Sequence, residues 1–192
     1  MKNHETSAID EILSQLGMEY ECSDVGNMYR FIDQHGELVR YSAERRGWLE
    51  WDGFRWGSAS YDKIFSRGLE TVKAIYDEAR NCDNKAGNER LGSWAKSSQS
   101  HRRISTMLNM AANHPEITVQ ISKYDQDAGI LNCLNGLIDL KTGELLARDS
   151  QSRVTRLAPD KYNANADCPV FKRFLHQIFG DDKELIKWVQ RA

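Results

Sequence analysis

The stretch ILNCLNGLIDLKTGEL, residues 130–145, decides the fold of this 192-residue chain. Asn135-Gly136 lies between two short runs of branched apolar residues and is typical of a two-residue hairpin turn, because both residues tolerate positive φ. Residues 141–143, Lys-Thr-Gly, suit a type I turn that ends on a glycine in the left-handed region. The stretch therefore predicts three antiparallel strands joined by two tight turns, a β-meander.

A second alternating stretch, residues 38–56, predicts another three-stranded meander, with strands at 38–41, 48–51 and 54–56. Its aromatic residues are too large and numerous to remain in water, so we expect most of them in a core or an interface. Trp48 has an alternative role, because exposed aromatic rings beside cations grip single-stranded nucleic acid. The cations that would flank it are Arg45, Arg46 and Arg55.

Most of the remaining chain has the helical period. The predicted helices span residues 9–16 with Ser7 as N-cap, 28–35 after Asp24 or Asn27, 61–80, a segment ending near 98, a segment from Ser100 to before Pro115, 169–179, and 182 to the end. Short strands are predicted at 117–121 and 154–157. The fold class is α+β, with small antiparallel β-meanders packed against several amphipathic helices. The segments 1–60, 61–115 and 116–192 are candidate domains, or together one compact domain.

Composition places the chain among globular proteins. The net charge is −2 and 40% of the residues are hydrophobic, enough to bury a core. No apolar run reaches the length of a membrane span, and the first residues lack the layout of a signal peptide, so we expect a soluble cytoplasmic protein without a membrane partner. The four cysteines, Cys22, Cys82, Cys133 and Cys168, lie far apart, so neither a zinc site nor a disulfide framework is expected.

Four motifs in order along the chain resemble the phage, plasmid and poxvirus primase-helicases, in the region just before their superfamily 3 helicase (ATPase) domain. The motifs lie at residues 24–31, 48–56, 130–145 and 168–191. The third resembles the family pattern LLNxxNGxxDLxTGxL. The family-motif residues in this chain are Asp24, Asn27, Arg30, Trp51, Asn132, Asn135, Gly136, Asp139 and Gly143.

The resemblance implies a non-catalytic module that links a primase domain to a hexameric helicase domain and has oligomerisation and DNA-guiding roles. The implied partners are single-stranded DNA, the protein's own primase and helicase domains, and further copies in a homo-oligomer. The chain stops where the helicase would continue, and ATP and magnesium would belong to that missing domain. Consistent with this, no G-x-x-x-x-G-K-[ST] loop occurs here. Whether the chain has any enzymatic activity of its own is left open.

Residues 85–115 are the most basic stretch, with five cations against Glu89. Together with the cations around Trp48 they make up the predicted DNA-binding set: Arg45, Arg46, Trp48, Arg55, Lys85, Arg90, Lys96, Arg102 and Arg103. The alternative interpretation is that these cations simply lie on a helix face exposed to water. Two other functions stay open. One is a free-standing single-stranded nucleic-acid-binding protein, and the other is a metal-dependent enzyme built on Asp125, Asp127 and Asp139, although these aspartates also suit turns.

Overall fold

The computed structural model describes residues 8–180 and 182–191, which form seven helices and two three-stranded antiparallel sheets. The helices are α1 (Ala8–Leu16), α2 (Asp24–His35), α3 (Tyr61–Asn81), α4 (Lys85–Ser98), α5 (His101–Ala112), α6 (Pro169–Phe179) and α7 (Lys183–Arg191). The strands are β1 (Val39–Ser42), β2 (Gly47–Trp51), β3 (Trp56–Ala59), β4 (Ile130–Cys133), β5 (Gly136–Asp139) and β6 (Leu145–Leu146). The α+β prediction is confirmed. Ser7 lies outside the described residues, and the division at 60 and 115 stays a prediction.

Polar side chains cap the helices and set where they begin. The Asn84 side chain accepts a hydrogen bond from the Gly87 N–H, and Ser100 caps α5, as predicted. The start predicted for α2 is wrong by one turn, because Ser23 is the cap and accepts from the N–H of Gly26 at 3.0 Å. The earlier start adds residues 24–27 to the helix and places Asn27 inside it.

The main core lies between the first sheet and helices α2, α3 and α5. Its largest members are Phe31, Ile32, Trp48, Ile64, Met107 and Leu108. Gly68 lets α3 and α5 approach closely, since an added Cβ would lie 2.9 Å from Cγ2 of Ile104. The opposite face of the sheet carries a smaller core around Leu49, Trp56 and Tyr124. Successive strand residues point to opposite faces, so the aromatic residues of this meander fill both cores.

Two predicted strands around the first sheet are wrong in extent. The third strand begins at Trp56 rather than Phe54, because the Asp52 carboxylate accepts from the N–H groups of Phe54 and Arg55, both at 2.8 Å, and holds them in the turn. The strand predicted at 117–121 is reduced to one parallel bridge beside Tyr41. Thr118 forms this bridge, and the chain then turns into a 3₁₀ helix at Ile121–Lys123.

The second meander has the predicted order β4-β5-β6, but its first turn differs from the prediction. Cys133 pairs with Gly136, so Leu134 and Asn135 form the turn and Gly136 opens β5. Gly136 has φ +150°, and an added Cβ would lie 2.6 Å from the carbonyl oxygen of Leu146. Glycine is needed there because β6 passes so closely. Gly143 has φ +75°, as the second turn requires.

The segment predicted as an edge strand at 154–157 instead runs between the two sheets. The Val154 carbonyl accepts from the Trp56 N–H at 2.8 Å, and the Ala158 N–H donates to the Asn132 carbonyl at 2.8 Å. The segment therefore joins β3 of the first sheet to β4 of the second without forming a regular strand.

Helices α6 and α7 contact each other and each bury one large apolar side chain, Leu175 and Ile186. Proline at the start of α6 and left-handed Gly180 at its end agree with the predicted boundaries. Several large apolar side chains on the pair stay exposed: Val170, Phe171, Phe174, Ile178, Leu185 and Trp188. Within the described residues, no helix is both long enough and apolar enough to cross a bilayer.

Candidate nucleic-acid interface

The first family motif lies on one face of α2, since Asp24, Asn27 and Arg30 are three residues apart along the helix. Asn27 is buried. Its Nδ2 donates to Ser98 Oγ at 3.1 Å, and its Oδ1 accepts from Trp94 Nε1 at 2.9 Å. Both partners belong to α4. Asn27 therefore fixes α4 against α2 and leaves no polar atom for a ligand.

Arg30 is fully buried, with 0% exposure. Its Nε and Nη2 donate to the Glu78 carboxylate on α3 at 2.7–2.9 Å. Its Nη1 donates to the Glu21 carbonyl at 2.8 Å, and its guanidinium lies over the Tyr20 ring. Arg30 therefore faces α3 and the chain just before α2, where its charge has an acidic partner.

Asp24 completes the motif by pairing with Arg103 of α5 at 2.8 Å. The guanidinium of Arg103 also lies 4.3 Å from the centre of the Trp94 ring. Asp24, Asn27 and Arg30 thus hold α5, α4 and α3 respectively against α2. Arg103, predicted to bind DNA, already has an acidic partner and an aromatic one inside the fold.

Motif residues of the two meanders also hold the backbone together. Trp51 packs on Trp56 with ring centres 5.9 Å apart. Asn132 is buried, donates to the carbonyl of Phe54 at 2.9 Å and accepts from Arg148 Nη1 at 2.8 Å. Since Phe54 belongs to the first meander, Asn132 and Arg148 tie the two meanders together.

Asn135 connects the second meander to the chain that follows it. Its side chain exchanges two hydrogen bonds with the backbone of Tyr162, at 2.9 and 2.8 Å. The turn that follows β4 is thereby fixed to the chain that leads to α6.

The three aspartates considered for a metal site accept hydrogen bonds from backbone N–H groups instead. Asp125 accepts from the N–H of Thr155 at 2.8 Å and also from its hydroxyl. Asp127 and Asp139 accept from residues two positions on, both at 2.8 Å. The turn-forming interpretation is confirmed for Asp127 and Asp139, whereas Asp125 holds the distant segment around Thr155. Across residues 8–180 and 182–191, no group of three or more His, Cys, Asp or Glu side chains is placed to hold a metal ion.

The other predicted DNA-binding cations are exposed, and none has an ion pair with an acidic side chain in the part of the chain that the structure describes. They are Arg45, Arg46, Arg55, Lys85, Arg90, Lys96 and Arg102. Unpaired surface cations are available to bind phosphate, because no competing carboxylate has to be displaced.

These cations do not form a single surface. Arg45 and Arg46 lie in the β1–β2 turn and Arg55 in the β2–β3 turn, so they sit at opposite ends of β2, roughly 16 Å apart. Arg90 lies beside α1, where it lines a cavity of about 260 Å³ with apolar residues such as Ile12.

Lys85, Lys96 and Arg102 are exposed cations of two consecutive helices, and we call their positions the α4–α5 surface; Glu89 lies one turn after Lys85 on the same face of α4. Lys85 and Lys96 are eleven residues apart, about three helical turns, so they lie on the same face of α4. Arg102 follows at the start of α5, just past the corner between the two helices.

Trp48 cannot stack on a base, because it is only 8% exposed and its ring packs edge-on against Phe31 and Tyr41, 6.1 and 5.4 Å away between centres. The DNA-binding assignment of Trp48 is wrong, and its alternative as a core residue is confirmed. Alternation along β2 turns this side chain toward the helices.

Sequence reasoning missed an aromatic series beside the α4–α5 surface, formed by Tyr61, Phe65 and His101. Ring centres lie 5.9 Å apart between Tyr61 and Phe65 and 5.1 Å apart between Phe65 and His101. The four-residue spacing of the first two on α3 is a readable signal. The third member comes from another helix, and only the packing of α5 on α3 brings it there.

A family model described as D5 N terminal like matches residues 28–180. This range is well over half of the chain. The chain belongs to the D5 N-terminal-like family. The D5 N-terminal-like domain is the N-terminal domain of phage, plasmid and poxvirus D5-type primase-helicases, so the resemblance predicted from the motifs is confirmed. Comparison with curated proteins finds no significant relative.

In this D5 N-terminal-like domain, the matched range starts at Met28 and leaves out Asp24 and Asn27. Both residues nevertheless hold helices together, as does Arg30 inside the range. The motif residues described above are thus occupied within the fold. The unpaired cations and the exposed rings, in contrast, remain available to an external partner.

Charged groups inside the D5 N-terminal-like domain lie on the helical side of the first sheet. Glu50 on β2 is buried and pairs with Lys63 and Arg67 of α3. Burial raises the pKa of Glu50, but the hydrogen bonds and charges of Lys63 and Arg67 outweigh it, so this pKa lies below its ordinary value. Burial, and then the charge of Arg67, lower the pKa of the neighbouring His35.

Proposed function

We propose that this chain is the non-catalytic module of a D5-type primase-helicase that guides single-stranded DNA between the primase and helicase domains. Membership of the D5 N-terminal-like family makes the chain part of a D5-like primase-helicase. The observation that supports the guiding role is the α4–α5 surface, where Lys85, Lys96 and Arg102 are exposed and have no ion pair with an acidic side chain among the residues that the structure describes.

Arg103 and Arg102 differ in their partners. Arg103 lies next to Arg102 in sequence but pairs with Asp24 and covers Trp94, so it stabilises the fold. Arg102 is exposed and has no partner of opposite charge among the described residues. A cation held at a fixed position by a helix, without an internal partner, suits phosphate binding that does not depend on sequence.

The module's protein partners are, in this proposal, its own primase and helicase domains and further copies of the same protein in the cytoplasm. The exposed apolar side chains of α6 and α7 support such contacts, because large exposed apolar patches mark interaction surfaces. ATP and magnesium are used by the helicase domain and not by this chain, in which no phosphate-binding loop occurs.

The test is a titration of fluorescently labelled oligo(dT) with the chain at several salt concentrations, followed by anisotropy. We expect weak binding whose logarithmic affinity falls linearly with the logarithm of the salt concentration. Replacing Lys96 and Arg102 by Ala should weaken binding and reduce that slope by about 0.7 for each lost phosphate contact.

Lys161→Ala is the matched control, because it removes an exposed cation from a loop far along the chain from α4 and α5. It should leave both affinity and slope unchanged. If the Lys96 and Arg102 variants behave like this control, the guiding surface does not lie at the α4–α5 corner.

A further inference from the structure

We propose that Tyr61, Phe65 and His101 form a platform on which unpaired bases of single-stranded DNA stack. This inference rests on the proposed function, because it names the part of the DNA that the chain contacts beside the α4–α5 surface. Phosphate binding by cations holds any nucleic acid, whereas a stacking platform requires bases that are free of a double helix.

The three rings form a continuous series across two helices. Tyr61 and Phe65 are one helical turn apart on α3, with their ring planes inclined by 43°. Phe65 and His101 are stacked, with 28° between their planes and 5.1 Å between their centres. A further flat ring, such as a nucleobase, can stack on this near-parallel pair.

The series is anchored at its middle and open at its ends. Phe65 is half-buried and packs against the main core. Tyr61 is 48% exposed and His101 is exposed as well. The hydroxyls of Tyr61 and Ser105 are hydrogen bonded at 3.0 Å, which fixes the Tyr61 ring relative to α5. Binding a base therefore costs little side-chain entropy.

One cation next to the series suits a nucleic-acid strand, although exposed Asp62 also adjoins Tyr61. Arg102 is adjacent to His101 on α5 and has no ion pair with a described acidic residue. A strand whose base stacks at His101 can therefore place a phosphate at Arg102. Lys63, two residues after Tyr61, is already paired with Glu50 and does not take part.

A second tyrosine and histidine pair provides a contrast. Tyr29 and His114 lie 5.8 Å apart between ring centres, but their planes are inclined by 81°. An edge-on pair presents no shared stacked face. Tyr29 is 45% exposed, similar to Tyr61, so it serves as a control for a solvent-exposed tyrosine outside the platform.

The first experiment uses the unmodified chain and three DNA ligands of equal length: oligo(dT), an abasic strand that has the same phosphates, and a duplex. We expect the abasic strand and the duplex to bind at least about fivefold more weakly than oligo(dT) at the same salt concentration. Equal affinity for oligo(dT) and the abasic strand would overturn the stacking proposal while leaving phosphate binding, and with it the proposed function, intact. Absence of binding to every ligand would overturn both.

The second experiment compares variants by the ratio of their affinities for oligo(dT) and for the abasic strand. Tyr61→Ala and His101→Ala should bring this ratio close to one, because they remove ring surface and leave the cations in place. Tyr29→Ala should keep the ratio of the parent chain. His101→Trp should raise it, because a larger ring stacks more strongly, and this gain cannot arise from misfolding. Unchanged ratios in all three platform variants would refute the proposal.

Discussion

Arg30 carries a buried charge, so its contribution to the stability of the fold depends on the groups that pair with it. The guanidinium is matched by the Glu78 carboxylate and by the carbonyls of Glu21 and Tyr20. Replacing Arg30 by Ala should lower the free energy of unfolding by about 3–5 kcal/mol, because Glu78 is left in a partly buried site without its partner. Urea denaturation followed by circular dichroism measures this loss.

Arg80→Ala is the control for the loss of an arginine from an ion pair. Arg80 pairs with Asp77 on the exposed side of α3, and both side chains are mostly in solvent. Its removal should change the free energy of unfolding by less than about 1 kcal/mol. Similar losses for the two variants would show that burial does not make the Arg30 pair special.

His35 should make stability depend on pH. Its Nε2 is buried and has no hydrogen-bond partner among the described residues. The charged groups around His35 are Arg67 and Glu70 of α3 and, through Arg67, Glu50 of β2. Burial and Arg67 hold the pKa of His35 below its ordinary 6.5, while Glu70 opposes them. As the pH falls below about 6.5, the unfolded chain takes up the proton first, so the free energy of unfolding decreases. This contribution is fully present above pH 6.5.

Thermal unfolding between pH 5 and 7.5 checks this prediction, since Glu50 titrates below that range. His35→Gln should flatten the decline of melting temperature toward low pH. His114→Gln, which removes a histidine near α5, should retain the decline. If the two variants show the same profile as the parent, His35 is not the group responsible.

At the residue scale, sequence reasoning identified important positions more readily than their roles. Asp24, Asn27 and Arg30 were singled out by the resemblance, yet their roles depend on which helices pack against α2, and Asp24 and Asn27 were not expected inside the helix. Ser23 was not recognised as the cap. One turn of added helix changes which neighbours these residues meet, and those neighbours come from α3, α4 and α5, which are distant in sequence.

Among the elements, the second meander depends on a glycine at Gly136. Its φ of +150° and the 2.6 Å approach of the Leu146 carbonyl to an added Cβ make any side chain costly. Gly136→Ala should lower the free energy of unfolding by about 1–3 kcal/mol. Gly57→Ala in β3 is the matched control, because no heavy atom lies within 4 Å of its added Cβ, and it should stay within about 0.5 kcal/mol of the parent. Equal effects, measured by thermal unfolding, would contradict the close-approach argument.

Elements with local signals were predicted well. Long amphipathic periods gave α3 and α5, and proline and glycine marked the ends of α6. Short strands were predicted poorly. Residues 117–119 bond to Tyr41 of the first sheet, and residues 154–158 bond to both sheets. None of these partners is visible from the local pattern. The shift of the first hairpin turn in the second meander likewise follows from the position of β6.

The pair of helices α6 and α7 sets the behaviour of the whole molecule in concentrated solution. With Phe174 and Trp188 exposed, we expect weak self-association, since association must overcome an entropy cost of roughly 4–15 kcal/mol. Light scattering should give a monomer mass at low concentration that rises gradually with concentration. Phe174→Glu combined with Trp188→Glu should abolish the rise.

Val25→Glu is the control, because Val25 is an exposed apolar residue on α2 and its replacement should leave the association unchanged. A stable hexamer at micromolar concentration without nucleotide would contradict the prediction, and would mean that this domain alone encodes a ring.

Over the whole molecule, the sequence allowed the cations of the candidate site to be found but not their grouping. Charge density along residues 85–115 indicated Lys85, Lys96 and Arg102, and it indicated Arg103 equally, although Arg103 is used inside the fold. The aromatic platform was invisible because it is assembled from two helices separated by α4.

The chain between the two sheets has a mechanical consequence. A pull on α7 passes along residues 154–160, where Val154, Ala158 and Asp160 are hydrogen bonded to Trp56, Asn132 and Leu134 respectively. Bonds spread along one extended segment share a load, and two sheets receive it together. Tension from the carboxyl side would therefore move the second meander and the helical core together as one rigid body.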